Sequence, residues 1–133
     1  MILEGRVSDG LGTAAPWFVP YREAYERKTG LKVFPGTLNL NIDRELRLLD
    51  PAYGAHLISM TSAEYGGPRD ILMLPCVLVS LGDLPAVIWR TDFAELEDPT
   101  ELRQLEILAE VGLRATYGLK NGDLVRVAIE GLT

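Results

Sequence analysis

Short apolar segments alternate with loops along this chain, and most of the segments have the two-residue period of β-strands. The clearest is 37–43, in which Leu38, Leu40 and Ile42 alternate with polar residues. These three side chains are therefore predicted to face a core, with their polar neighbours on the opposite face. Four other short segments are predicted as strands: 2–7, 57–60, 105–108 and 124–130.

Two further apolar segments, 71–81 and 86–90, flank a glycine- and proline-containing turn, which is typical of a β-hairpin. Residues 20–30 predict one helix, because the segment begins with proline and ends with glycine. Residues 113–117 predict a short helical turn. Several short strands with only one or two short helices predict a mainly β fold, and a small β-barrel in particular.

Composition fits an ordinary globular protein. The chain has 133 residues, of which 47% are hydrophobic and 24% charged, so we expect one domain over 1–133. The sequence contains neither a secretory signal nor the run of about 20 apolar residues that spans a bilayer. We therefore expect a cytoplasmic protein that does not bind a membrane and is a monomer or a small homo-oligomer.

The charge of the chain bears on its partners. Its formal net charge is −6, and acidic residues are concentrated in 92–110. A chain that binds many phosphates normally carries a basic excess, so we expect no nucleic-acid partner. Any nucleotide ligand is expected to be small.

Cysteine and histidine offer little chemistry. Cys76 is the single cysteine and lies in an apolar segment, which favours a core position and excludes an internal disulfide. His56 lies in a segment without clear periodicity and is expected to face solvent. Neither residue is predicted to be catalytic or to bind a metal.

The motif Gly36-Thr37-Leu38-Asn39 could carry chemistry, because strand alternation places Thr37 and Asn39 on one face. Their hydroxyl and amide oxygens are ligands that suit Mg²⁺, which commonly completes its coordination with water and substrate phosphates. The alternative is an amphipathic strand whose polar face meets only water, and the pattern taken alone favours this alternative.

Two other features have a functional and a structural interpretation. The segment Ser8-Asp9-Gly10-Leu11-Gly12 could bring backbone N–H groups close to phosphates, but it matches neither a Walker nor a Rossmann motif and could be a structural turn. Glu106 lies between two apolar residues. It is either a buried carboxyl with a raised pKa, which would suit a general base, or the outward residue of an edge strand.

Jointly, several segments resemble the archaeal-type CTP-dependent riboflavin kinases, a family whose fold is a cradle-loop barrel. The segments that carry the resemblance are 5–12, 30–40, 105–109, 113–114 and 118–125. The resemblance implies transfer of the γ-phosphoryl group of CTP to the 5′-hydroxyl of riboflavin, giving FMN and CDP, with Mg²⁺ as cofactor.

The resemblance also implies site residues. Thr37 and Asn39 would bind Mg²⁺, while Thr91 and Glu106 would contact the flavin; no catalytic base is implied. The nucleotide would be bound by Gly10, Leu11, Gly12, Thr13, Ala14, Ala15, Val111, Gly112, Leu113 and Arg114.

Three departures from the family pattern leave an alternative open. Thr13, Ala14 and Ala15 replace an acidic residue and a glycine; residues 92–104 form an acidic insertion; and the histidine that usually follows the flavin-binding threonine is missing. The alternative is a barrel that binds a nucleotide or flavin without transferring a phosphoryl group. Related barrels also serve as DNA-binding dimerisation units, but the acidic charge argues against that role, and no N-terminal helix-turn-helix is recognised.

Overall fold

The computed structural model describes residues 1–10, 12 and 14–129, and most of these residues belong to β-strands or the turns between them. The strands are β1 (Ile2–Ser8), β2 (Leu38–Ile42), β3 (Ile58–Met60), β4 (Ile71–Leu78), β5 (Leu84–Thr91), β6 (Gln104–Leu108) and β7 (Leu124–Ile129). The α-helices are short: α1 (Arg22–Thr29), α2 (Ser62–Tyr65), α3 (Asp92–Glu97) and α4 (Leu113–Tyr117).

Six of the strands form a closed antiparallel barrel in the order β4, β5, β6, β2, β1, β7. The barrel closes because β7 also pairs with β4, with Val77 opposite Ala128. Strand β3 pairs with the first half of β4, outside this ring. The predicted mainly β barrel is confirmed, as is the hairpin formed by β4 and β5.

The barrel core is built from the residues that strand alternation predicts. Leu38, Leu40 and Ile42 are 2%, 0% and 7% exposed, and alternate residues of β7 are buried in the same way. Cys76 is also buried in this core, and His56 is exposed, as expected. Period-two alternation was informative here because each of these strands has one face in the barrel core. Glu130, which the predicted last strand included, lies outside the described residues.

A second apolar cluster lies on the outside of β4 and β5, where α1 packs. Phe18 and Tyr25 are fully buried there, and the Phe18 ring packs edge-on against Trp89 with centroids 5.3 Å apart. The Trp89 indole N–H donates a hydrogen bond to the Tyr25 hydroxyl at 3.0 Å, and burial raises the pKa of that hydroxyl. Because this cluster covers the outer face of β4, both faces of β4 are apolar.

The acidic segment that begins at residue 92 is folded and helical. It forms α3 followed by a 3-10 helix, Pro99–Arg103. Thr91 caps α3 by accepting a hydrogen bond from the Ala94 N–H at 3.1 Å, and the Asp98 side chain caps the 3-10 helix. The helix α2 was likewise not predicted, since one turn is too short to show a helical period. Among the described residues, the helices are too short and too polar to cross a membrane.

Candidate active site

A row of side chains crosses four neighbouring strands on the outer face of the barrel. Ser8 of β1 lies opposite Asn39 of β2, Asn39 lies opposite Glu106 of β6, and Glu106 lies opposite Trp89 of β5. Adjacent strands lie about 4.8 Å apart, so the row is about 14 Å wide.

A cleft of about 700 Å³ opens above this row, a volume typical of sites for small molecules. It brings together residues from all three groups of predicted site residues. Those that line it are Gly10, Gly12, Ala14, Ala15, Thr37, Asn39, Thr91, Glu106 and Arg114. Leu11 and Thr13 lie outside the described residues.

Glu106 lies in the middle of the row of side chains that the cleft covers, and it is half-buried. Its strand, β6, lies between β2 and β5, so the edge-strand interpretation of Glu106 is wrong. The Thr37 hydroxyl donates a hydrogen bond to Glu106 Oε1 at 3.0 Å. Burial raises the pKa of Glu106; the Thr37 hydrogen bond partly opposes this rise, and the nearby Glu101 adds to it.

The oxygens around Glu106 suit a hard divalent cation. Because the Thr37 hydroxyl donates its hydrogen bond to Glu106, the lone pairs of its oxygen remain available to a metal ion or another ligand. Asn39 lies opposite Glu106 across the strands, so a hydroxyl, an amide and a carboxylate come together. The described residues contain no group of three or more His, Cys, Asp or Glu side chains that could hold a metal. Hydroxyl and amide oxygens are hard ligands that suit Mg²⁺, which commonly takes its other ligands from phosphates and water; that Thr37 and Asn39 bind it stays a prediction.

The loop after β1 lies directly on Asn39. A Cβ added at Gly10 would collide with the Asn39 side-chain amide and would approach its Cγ to 3.1 Å. Gly12 has a φ of 71°, in the left-handed region that glycine adopts without strain. The two glycines thus have different uses, one for close approach and one for backbone conformation.

Gly10→Ala is accordingly expected to reduce the rate of the phosphoryl transfer that the resemblance implies by about 10-fold or more. The new methyl group would displace the Asn39 amide from the cleft. Steady-state rates of the purified variants would measure this effect. If Gly10 acts through Asn39, Gly10→Ala should add little to the loss caused by Asn39→Ala in a double-mutant cycle. Fully additive losses would contradict the coupling.

Arg114 is the only cationic side chain among the described residues that line the cleft. Its Nη1 donates to Asp9 Oδ1 at 3.1 Å and to Asn121 Oδ1 at 2.9 Å. The guanidinium therefore joins the loop after β1 to the turn before β7. Its ion pair with Asp9 also offsets the one carboxylate on the β1 side of the cleft.

Residues 111–113 are placed differently from Arg114. Leu113 is buried in the barrel core, and Val111 packs against this core. Gly112 lies beneath the Phe34 ring, and a Cβ added at Gly112 would lie 3.0 Å from the Phe34 Cζ atom. The Val111 and Leu113 side chains thus pack in the core, and glycine at position 112 leaves room for the Phe34 ring. A backbone contact between these residues and a nucleotide stays a prediction.

The opposite end of the cleft contains residues that sequence reasoning missed. Trp17 and Trp89 meet edge-on at 5.6 Å, and the acidic segment contributes further side chains. The missed lining residues at this end are Trp17, Trp89, Ala94, Asp98, Glu101 and Gln104. Strand period could have found Trp89, which shares a face with Thr91, whereas Asp98 and Glu101 depend on how the 3-10 helix folds.

Comparison with known proteins decides the family. The model of the family CTP-dep_RFKase, described as a domain of unknown function, DUF120, matches residues 7–129. The chain belongs to the CTP-dependent riboflavin kinase family. The resemblance noted in the sequence is thereby confirmed.

Proteins named riboflavin kinase are similar to this family member over nearly its whole length. The one from Methanopyrus kandleri is 31% identical over 137 residues, which cover 98% of this chain and 84% of that protein. The one from Pyrobaculum aerophilum is 33% identical over 96% of this chain, and that from Archaeoglobus fulgidus is 31% identical over 96%. The matches span 60% and 54% of these two longer relatives.

Proposed function

We propose that this family member is a riboflavin kinase that transfers the γ-phosphoryl group of CTP to the 5′-hydroxyl of riboflavin, giving FMN and CDP with the help of Mg²⁺. Family membership supports the activity. The site assignment rests on one observation: Asn39 and Glu106 are neighbours across two strands, and Thr37 is hydrogen-bonded to Glu106. These residues lie between the glycine loop and the rings of Trp17 and Trp89.

The charges along the cleft support a direction for the two substrates. A triphosphate is strongly anionic, and it suits the β1 side, where the Asp9 carboxylate is paired with Arg114 and where backbone N–H groups of the glycine loop would contact phosphates. The β5 side presents the Asp98 and Glu101 carboxylates and two indole rings. An uncharged, aromatic, hydroxylated acceptor such as riboflavin suits that side.

The same charges support a metal requirement. The cleft is lined by the acidic residues Asp9, Asp98, Glu101 and Glu106, whereas Arg114 is the single cationic residue among the described lining residues and is paired with Asp9. The buried Arg90, which does not line the cleft, offsets part of the negative charge of Glu101 and Glu106. A triphosphate alone would be repelled by this cleft at neutral pH. Mg²⁺ bound by Thr37 and Asn39 would supply charge neutralisation at the phosphates.

In the proposed reaction, this chain's residues act mainly by positioning. The acceptor hydroxyl lies beside Glu106, its oxygen forms a bond to the γ-phosphorus, and the bond from that phosphorus to the β-phosphate bridging oxygen breaks. The hydroxyl proton passes to the Glu106 carboxylate, which the Thr37 hydrogen bond holds in place. The two substrates, held in line above the strand row, lose little freedom at the moment of transfer.

One assay tests this proposal. The purified protein is incubated with riboflavin and each of the four nucleoside triphosphates, with Mg²⁺ or with a chelator, and flavin products are separated by chromatography. We expect FMN and CDP with CTP and Mg²⁺, and no product after chelation. Equal FMN formation with another nucleotide would refute the CTP preference.

Titration distinguishes the kinase from the alternative, a module that binds ligands without transferring a phosphoryl group. In favour of the alternative, the replaced loop positions Ala14 and Ala15 line the cleft, and their replacement would weaken nucleotide binding. Calorimetry with CDP, CTP, FMN and riboflavin would detect ligands without turnover. Binding without FMN formation in the Mg²⁺ assay would establish the module and refute the kinase.

A further inference from the structure

Arg90 is a buried charged residue that the proposed reaction does not use directly. It lies on β5 between two cleft residues, Trp89 and Thr91, but its side chain occupies the other face of the strand and is 3% exposed. Its Nη1 donates to Leu46 O and to Glu95 Oε1, both at 2.7 Å. The ion pair with Glu95 is therefore nearly free of water.

The second guanidinium nitrogen reaches the acidic segment's backbone. Arg90 Nη2 donates to the carbonyl oxygens of Glu101 and Gln104, each at 3.2 Å. These same two residues line the cleft. Arg90 thus fixes the backbone of two residues of the cleft lining.

Glu95 completes the attachment of the segment. Its side chain is 1% exposed, and its Oε2 accepts a hydrogen bond from the Leu49 N–H at 3.0 Å. The Leu46 N–H donates to Leu102 O at 2.8 Å. The segment 92–103 is therefore tied both to β5 and to the loop that follows β2.

A buried ion pair is weak evidence for stability, since an apolar pair of similar volume often stabilises a protein equally well or better. What an apolar pair cannot do is hold two backbone carbonyls by directed hydrogen bonds. The planar guanidinium presents five N–H donors in a fixed fork, which suits it to hold several acceptors at once. The geometry therefore serves position more than stability.

We propose that Arg90, with Glu95 as its counter-ion, is a positioning residue that holds the segment 92–103 as a fixed wall of the acceptor half of the cleft. Through this wall the Glu101 carboxylate accepts hydrogen bonds from hydroxyl groups of the acceptor's polyol chain. The inference rests on the proposed function for the identity of the acceptor. It predicts that loss of the Arg90 hydrogen bonds weakens acceptor binding and leaves nucleotide binding unchanged.

Three variants test the wall. Arg90→Met combined with Glu95→Leu removes the directed hydrogen bonds without leaving an unpaired buried charge. Arg90→Lys keeps the charge but loses the fork, and Glu101→Gln changes only the proposed contact. Riboflavin binding is followed by the quenching of flavin fluorescence, and KM is determined separately for riboflavin and CTP.

We expect each variant to raise the dissociation constant and KM for riboflavin by about 10-fold, the effect of losing hydrogen bonds to a charged group, with the KM for CTP unchanged. The control is Arg126→Met, which removes a surface ion pair with Glu4 at 3.3 Å on residues outside the cleft lining, and should change neither constant. If the Arg90 variants do not fold, the dissociation constant and KM of Glu101→Gln for riboflavin alone test the proposal.

The outcomes separate this inference from the proposed function. Unchanged riboflavin affinity in folded variants would refute the proposal that the segment 92–103 is a wall of the acceptor half of the cleft. An equal rise in the KM for riboflavin and for CTP would refute it as well. If the wild-type protein binds riboflavin in a manner that depends on Arg90 but makes no FMN, the wall stands and the kinase proposal fails. A wild-type protein that does not bind riboflavin overturns both.

Discussion

Asn39→Ala is expected to lower kcat/KM for FMN formation by about 10³-fold, the loss typical of removing a preorganised group that stabilises transition-state charge. The amide of Asn39 lies between the glycine loop and Glu106, where the proposed Mg²⁺ and phosphates would meet. Thr37→Ala is expected to have a similar effect, because it removes a cation donor and also the hydrogen bond to Glu106. Turnover assays at several Mg²⁺ concentrations measure both variants, and their apparent affinity for Mg²⁺ should fall.

Asn41→Ala provides a matched control for these variants. Asn41 has the same side chain on the same face of β2, two positions further along, and it is exposed opposite Gln104. Its replacement should leave activity and Mg²⁺ dependence unchanged. Turnover retained by both Thr37→Ala and Asn39→Ala, with the fold intact by circular dichroism, would remove the metal assignment.

The sequence predicted the strands well, and the reason is local. In 37–43, one face of the strand is buried and the other lies outside the barrel, so the sequence alternates strictly. The continuous apolar run of β4 was recognised for a different reason, namely that the barrel core covers one face and the second apolar cluster the other. In both cases a strand's environment is reflected in its own residues.

Strand order could not be predicted in this way, and the site depends on it. Whether Glu106 belongs to an edge or an interior strand is decided by the pairing of β6 with both β2 and β5. The contact between Gly10 and Asn39 likewise depends on how the loop after β1 folds back over β2. The resemblance to the family supplied these residues, because it carries information about the complete fold.

The acidic segment shows the limit of composition. The sequence identified residues 92–104 only as an acidic insertion, without indicating that Glu95 is buried against Arg90 while Asp98 and Glu101 line the cleft. A helix of six residues is too short for a period to show which carboxylate is buried. The partner of Glu95 also precedes the acidic run, in a strand that reads as apolar.

Glu106→Gln is expected to have opposite effects on activity and on stability. Activity should fall by about 10²-fold or more, because an amide cannot accept the proton of the acceptor hydroxyl. Stability at neutral pH should rise, because burial raises the pKa of Glu106 above its ordinary value of 4.5 and so penalises its charged form. The Gln side chain keeps an oxygen that can accept the Thr37 hydrogen bond, so the variant should remain folded.

Proton linkage at Glu106 determines how the free energy of unfolding changes with pH. A carboxyl whose pKa is higher in the folded state binds its proton more tightly there, so its stabilising contribution is complete below the unfolded pKa and is lost as the pH rises through the folded pKa. Urea unfolding of the wild-type protein and Glu106→Gln between about pH 4 and pH 8 should therefore show a difference that grows with pH and then levels off. Glu97→Gln, at an exposed position of α3, should show no such difference. Equal stability of the wild-type protein and Glu106→Gln at every pH would refute the claim that burial penalises the charged form of Glu106. Equal rates of FMN formation by the two proteins would refute proton transfer to Glu106.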